Sequence, residues 1–172
     1  MIVLRHLLAE CVKLPLDLVP TAPVEEESPA QAARRLAADK ESAITELCAL
    51  LAHSGQVNNL TRLTRDMINR ERKATTAIAP GVAIPHVRSM QMRSFVMGFA
   101  RARDPGLPFA SLDGDPTRLF FVLASPPWED RTYLQLYREL STLIQDEEVM
   151  AGLMAAQTVQ DVFNAFRTLL LR

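Results

Sequence analysis

The chain has 172 residues, 48% of them hydrophobic and 23% charged, with a formal net charge of −1. That length suits one compact domain, and the composition excludes wholesale disorder, collagen-like repeats and a disulfide scaffold. A balanced net charge disfavours general nucleic-acid binding, and two cysteines without a CxxC pair, Cys11 and Cys48, point to a reducing cytoplasm and away from structural zinc.

The N-terminus, Met1-Ile-Val-Leu-Arg-His-Leu-Leu, is apolar but broken by Arg5, His6 and Glu10. It has no small-residue cleavage site, and no run approaches the roughly 20 apolar residues of a membrane helix, so neither a signal peptide nor direct membrane insertion is expected. Val12, Leu14, Leu16 and Leu18 alternate as in a half-buried strand, which Pro15 would confine to an edge. Residues 20–35, rich in proline and glutamate, read as an exposed, mobile acidic loop. Asp39 can cap a helix with Ile44, Leu47, Cys48 and Leu51 on its apolar face, ending at Gly55 with His53 in the last turn. A second helix, about Asn59 to Arg72, turns Leu60, Leu63, Met67 and Ile68 inward.

Between Thr75 and Ile84 the pattern predicts two brief strands around the Pro80-Gly81 turn, closed by Pro85-His86. Ser94–Ala100 and Leu119–Ala124 read as further strands, separated by the turn residues Asp113-Gly114-Asp115-Pro116. The C-terminal third is helical, over about Arg131–Ile144, Glu147–Ala156 and Val159–Leu170, with Thr158 and Asp161 spaced as a capping box. Strands in the middle with helices on either side predict an α/β domain, the whole of residues 1–172 forming one unit.

Charge is unevenly spread. Residues 61–103 hold nine arginines and lysines against Asp66 and Glu71, a local +7 that leaves −8 to the rest. Such a segment suits an anionic ligand or an acidic partner surface, or simply arginines on solvated edges. Phosphate-binding glycine loops, zinc-protease and serine-hydrolase motifs are absent, and His6, His53 and His86 fall at no metal-ligand spacing. His86 is distinguished by its setting, after a strand and a proline and downstream of a run of arginines. Imidazole is nucleophilic at neutral pH, and guanidinium is a natural phosphoryl partner. On these residues alone His86 stays open between a nucleophile and a satisfied surface histidine.

The run from Arg70-Glu71 through Thr76-Ala77-Ile78-Ala79 to Gly81-Val82-Ala83-Ile84-Pro85-His86 resembles, without gaps, the signature of the mannitol/fructose-type enzyme IIA domains. These are phosphocarrier domains of the bacterial phosphoenolpyruvate-dependent sugar phosphotransferase system. The Leu112-Asp-Gly-Asp-Pro turn, the strand ending in Ala124-Ser-Pro and the helix near Tyr133-Leu134 follow the family order. The likeness covers about residues 2–18 and 36–170, leaving the acidic loop as an insertion.

The resemblance implies a mixed sheet flanked by helices. His86 would accept a phosphoryl group from phospho-HPr, a phosphohistidine protein, and pass it to a cysteine of a IIB domain. Arg70 would bind phosphoryl oxygens, and Thr76 would supply a hydrogen bond near the same site. No metal or nucleotide cofactor is implied, because the incoming phosphoramidate is already activated. Two departures stand out: Tyr133 replaces the second histidine of sugar-transporting members, and Ala77 and Ala79 replace two glycines. They leave open a nitrogen-type regulatory protein, whose phosphorylation controls binding to a transporter or kinase, and a degenerate binding domain that is not phosphorylated.

Overall fold

The computed structural model describes residues 1–171, opening with one turn of helix, α1 (Val3–His6), and the strand β1 (Leu7–Lys13). The strand therefore lies earlier than the Val12–Leu18 alternation predicts. The alternation misleads because Leu16 is buried from an irregular segment, tied to the sheet by its N–H donating to the Arg101 carbonyl.

The next helix, α2 (Pro29–Ala52), starts ten residues before Asp39. Ser28 accepts from the Gln31 N–H, the Gln31 side chain accepts from the Ser28 N–H, and Pro29 occupies the first turn, where its missing donor costs nothing. Asp39 is not a cap. It is buried in mid-helix, and its carboxylate accepts from the Thr21 N–H at 2.9 Å and the Thr21 hydroxyl at 2.7 Å. Arg35 pairs with Glu27 at 2.8 Å, so the acidic segment is fastened to the helix it precedes.

Helix α3 (Leu60–Lys73) is capped by Asn59 and buries Leu63 and Met67, while Leu60 faces outward. Two short strands follow, β2 (Val82–Ala83) and β3 (His86–Arg88), then β4 (Val96–Arg101) and β5 (Leu119–Ser125). Of the two brief strands expected before Ile84, only the second forms; Ala79 contributes a single bridge to Val82. Helices α4 (Asp130–Leu143), α5 (Glu147–Ala155) and α6 (Val159–Arg167) complete the fold, followed by a 3₁₀ turn over Thr168–Leu171. The Thr158–Asp161 capping box is present.

The sheet runs β1-β4-β5-β2, with β3 also paired to β5; β4 and β5 are antiparallel and the other pairs parallel. β5 is central and buried throughout. Phe120, Val122 and Ala124 join the core under α2 and α3, whereas Leu119, Phe121 and Leu123 join the core under α4, α5 and α6. This period of two divides one continuous apolar strand between two helical layers. Gly98 of β4 marks a close approach of β1 and α2, for a Cβ there would lie 3.0 Å from the Cys11 carbonyl and 3.3 Å from Leu51.

β2 and β3 form one interrupted edge beside β5, with Val82 opposite Leu119 and His86 opposite Leu123. Pro85 sits in the break. It cannot donate, but its carbonyl accepts from the Leu123 N–H at 2.9 Å. His86 thus resumes the ladder at the C-terminal end of β5, where α3 and α4 approach from the two faces.

Candidate functional site

A cleft of about 620 Å³ opens at this end of the sheet. Asp66, Arg70 and Lys73 reach it from α3, His86 and Arg88 from β3, and Tyr133 from α4. Three cations against one carboxylate make it a basic site, although Arg88 is also paired with Asp130.

The imidazole of His86 is held at both nitrogens. Nδ1 lies 2.7 Å from the Ile84 carbonyl, and Nε2 lies 3.2 Å from Nη2 of Arg70. A carbonyl only accepts and a guanidinium only donates, which assigns the proton: Nδ1–H donates to Ile84, and Nε2 accepts from Arg70. The unprotonated nitrogen is the one that faces the cleft's arginine. Burial pulls the His86 pKa below its ordinary 6.5, and the neighbouring Arg70 and Arg88 charges act in the same direction. The ring is therefore neutral at pH 7, with the Nε2 lone pair available.

Arg70 occupies the last turn of α3. Its Nη1 donates to the Ala74 carbonyl at 3.1 Å, which leaves Nη2 aimed at the histidine. Tyr133 also reaches the site, its ring 5.6 Å from that of His86. Burial raises the Tyr133 pKa, so the phenol stays neutral in the physiological range. Tyr137, a residue not anticipated in this role, meets the same imidazole edge-on at 5.7 Å and stacks on Tyr133. The signal was available, since positions four apart on a helix share a face.

Thr76 is not brought into the cleft. It is buried, its N–H donates to Glu71 at 2.8 Å, and its hydroxyl donates to the same carboxylate at 2.7 Å. The proton that would have met a phosphoryl oxygen is already committed. Ala77 and Ala79 are not strained by replacing glycine: among the described non-glycine residues only Glu26 and Ala110 have positive φ.

His6 packs on Phe95, which in turn meets the Tyr133 ring, and His53 lies 3.2 Å from the Glu10 carbonyl; neither lines the cleft. No group of His, Cys, Asp and Glu suited to a metal ion occurs among the described residues. Burial pushes the Cys11 and Cys48 thiols up to about 11 and about 12, leaving them unreactive. No helix among the described residues is long and apolar enough to cross a membrane.

Known proteins are similar to this chain in sequence and in fold. The chain is 32% identical to the PTS system fructose-specific EIIABC component of Bacillus subtilis over 73% of its own length, but spans only 20% of that longer protein. It is 33% identical to the PTS system fructose-specific EIIA component of Haloferax volcanii, covering 73% of this chain and 82% of the other. A nitrogen regulatory protein of Bradyrhizobium diazoefficiens is 31% identical, covering 73% and 80% of the two chains. The crystal structure of the nitrogen regulatory protein IIA-Ntr from Neisseria meningitidis superposes with a TM-score of 0.74 over 96% of this chain and 99% of the other. At 21% identity that superposition establishes the fold. Residues 32–168 match the family model for the phosphoenolpyruvate-dependent sugar phosphotransferase system, EIIA 2, and the chain belongs to that family.

Proposed function

We propose that the protein is a phosphohistidine carrier in which Nε2 of His86 accepts a phosphoryl group from a phosphohistidine donor of the HPr type and passes it to a IIB cysteine. The observation that carries this reading is the pair of opposed contacts on one imidazole, Nδ1–H to the Ile84 carbonyl and Nε2 to Arg70. In the first step the Nε2 lone pair attacks phosphorus and a new N–P bond forms. The donor's N–P bond breaks, and its ring leaves with the electron pair. His86 becomes a phosphoimidazolium whose positive charge is stabilised by the Nδ1–H···O=C bond. Arg70 loses its nitrogen acceptor at that moment and can turn its donors to the phosphoryl oxygens. In the second step a thiolate attacks phosphorus and the N–P bond breaks. The ring then returns to its neutral Nδ1–H form. Catalysis consists of positioning and charge stabilisation, with no metal or nucleotide invoked.

A second reading, a regulatory IIA-like protein whose phosphorylation state controls a transporter or kinase partner, is favoured by the neutral Tyr133 beside His86 and by the similarity to a nitrogen regulatory protein. Incubation with enzyme I, HPr and phosphoenolpyruvate tests the shared step. An acid-labile, base-stable adduct on His86 is expected, and no adduct would leave a binding domain that is not phosphorylated. Onward transfer to a IIB protein then favours the carrier over the regulator.

A further inference from the structure

Behind Arg70 its sequence neighbour Glu71 points the other way, into the protein. Glu71 is buried, and Nζ of Lys40, on α2, lies 2.8 Å from its Oε1. The Lys40 ammonium also donates to the Thr75 hydroxyl at 3.3 Å and lies 4.6 Å from the centre of the Phe109 ring. Glu71 in turn accepts from the backbone N–H and the hydroxyl of Thr76. The Thr76 carbonyl accepts from the Ile84 N–H at 3.0 Å, and the Ile84 carbonyl accepts from Nδ1 of His86 at 2.7 Å.

We propose that Lys40 and Glu71 are positioning residues for His86, acting through a continuous relay of hydrogen bonds that runs Lys40–Glu71–Thr76–Ile84–His86. The proposal rests on His86 as the phosphoryl acceptor and says how its tautomer is chosen. A buried carboxylate holds two donors of Thr76 only while a cation balances its charge. Thr76, so held, anchors the Ile84 backbone at its N–H, and the carbonyl of that same residue keeps the proton on Nδ1 and the lone pair on Nε2. The same anchor fixes the last turn of α3, from which Arg70 projects. Both partners of the Arg70–His86 contact therefore depend on one ion pair that never touches the cleft.

The test reads the ring nitrogens of His86 by ¹⁵N NMR at pH 7.5 on the full chain, together with the rate of phosphorylation by phospho-HPr. The unaltered protein should show Nδ1 protonated and Nε2 unprotonated. In Lys40→Met the two nitrogen shifts should move toward each other as the tautomers mix. Turnover should fall roughly tenfold or more, since small misplacements of reacting groups cost factors of that size, while the donor concentration for half-maximal rate stays unchanged. Lys40→Arg, which restores the cation, should recover most of both. Unaltered nitrogen shifts in folded Lys40→Met, or a Lys40→Arg no better than Lys40→Met, would overturn the proposal. If Lys40→Met does not fold, the paired variant Lys40→Met/Glu71→Gln removes both charges together. Mixed tautomers there support the relay, and wild-type shifts overturn it. The nitrogen shifts need no phosphoryl donor. A His86 that is never phosphorylated thus removes the rate measurement and leaves the tautomer measurement to judge the relay by itself.

Discussion

The two ends of β5 both carry arginines, and they use them differently. At the end opposite His86, Arg101, Arg103 and Arg118 line a cleft of about 370 Å³. There Arg101 donates through Nη1 to the carbonyls of Met154 and Ala156 at 2.7 and 2.6 Å and, at 3.5 Å, to that of Leu153, closing the C-terminal end of α5. Arg118 is paired with Asp104 at 2.7 Å. At the other end Arg70 spends one donor on a carbonyl and turns another to a neutral imidazole. The net charge of a cleft is thus a poor guide to chemistry. What separates the ends is the acceptor each guanidinium meets: main-chain oxygens and a carboxylate in one case, a nucleophile in the other.

The most severe test of this contrast is His86→Ala, which should abolish labelling from phosphoenolpyruvate through enzyme I and HPr. A variant that labels normally would remove the distinction between the ends altogether. Next come two arginines that should fail in opposite ways. A hydrogen bond to a charged group contributes about 1.5–3 kcal/mol, and about 1.4 kcal/mol is a factor of ten in rate. Arg70→Ala should accordingly slow phosphorylation at least tenfold with little change in melting temperature. Arg101→Ala should lower stability to chemical denaturation by about 1.5–3 kcal/mol and leave the rate of the folded protein alone. If Arg70→Ala melted early and transferred normally, the two ends would be alike.

A smaller effect is expected of Tyr133. Because the His86 pKa is lowered from 6.5 and the phenol stays neutral, phosphorylation should change little with pH between about 7 and 8. It should decline only under more acid conditions, as His86 gains a proton. The depressed pKa also means that the unfolded chain binds this proton more readily. Stability therefore falls as pH drops from 6.5 through the folded pKa, and His86→Asn should flatten that slope. Tyr133→His should introduce a pH-dependent component between 6 and 8, and matching profiles would show that the ring only packs. The least effect belongs to Arg118→Ala. Its exposed pair with Asp104 should contribute under about 1 kcal/mol and nothing to transfer, as urea titration and a labelling assay would show.

Much of this architecture was legible where one local signal dominated. The β5 run is apolar throughout and the α6 capping box is local, so both fell where expected. The start of α2 escapes a local reading because Asp39 matches a cap and the segment before it resembles a loop. The deciding signal was Ser28-Pro29 with Gln31. At the site, His86 and Arg70 came from a motif, and the structure places them within 3.2 Å. The resemblance implies a place for Thr76 near the cleft because a linear motif cannot tell that Arg70 turns outward while Glu71 turns inward. Lys40 had no local signal at all. It meets Glu71 across 31 positions of sequence, a contact that exists only once α2 lies against α3.

Pro85 has one more consequence. Sheet edges that are long and flat recruit strands from other chains. On one side of this sheet the edge is divided into segments of two and three residues, with a proline between them, and on the other the register of β1 slips between Leu7 and Val12. Neither border is a long, regular ladder. A protein approaching the cleft meets side chains, among them the exposed Met90 that lines it. The break that sets the histidine's position therefore also shortens the ladder open to strand addition on that side.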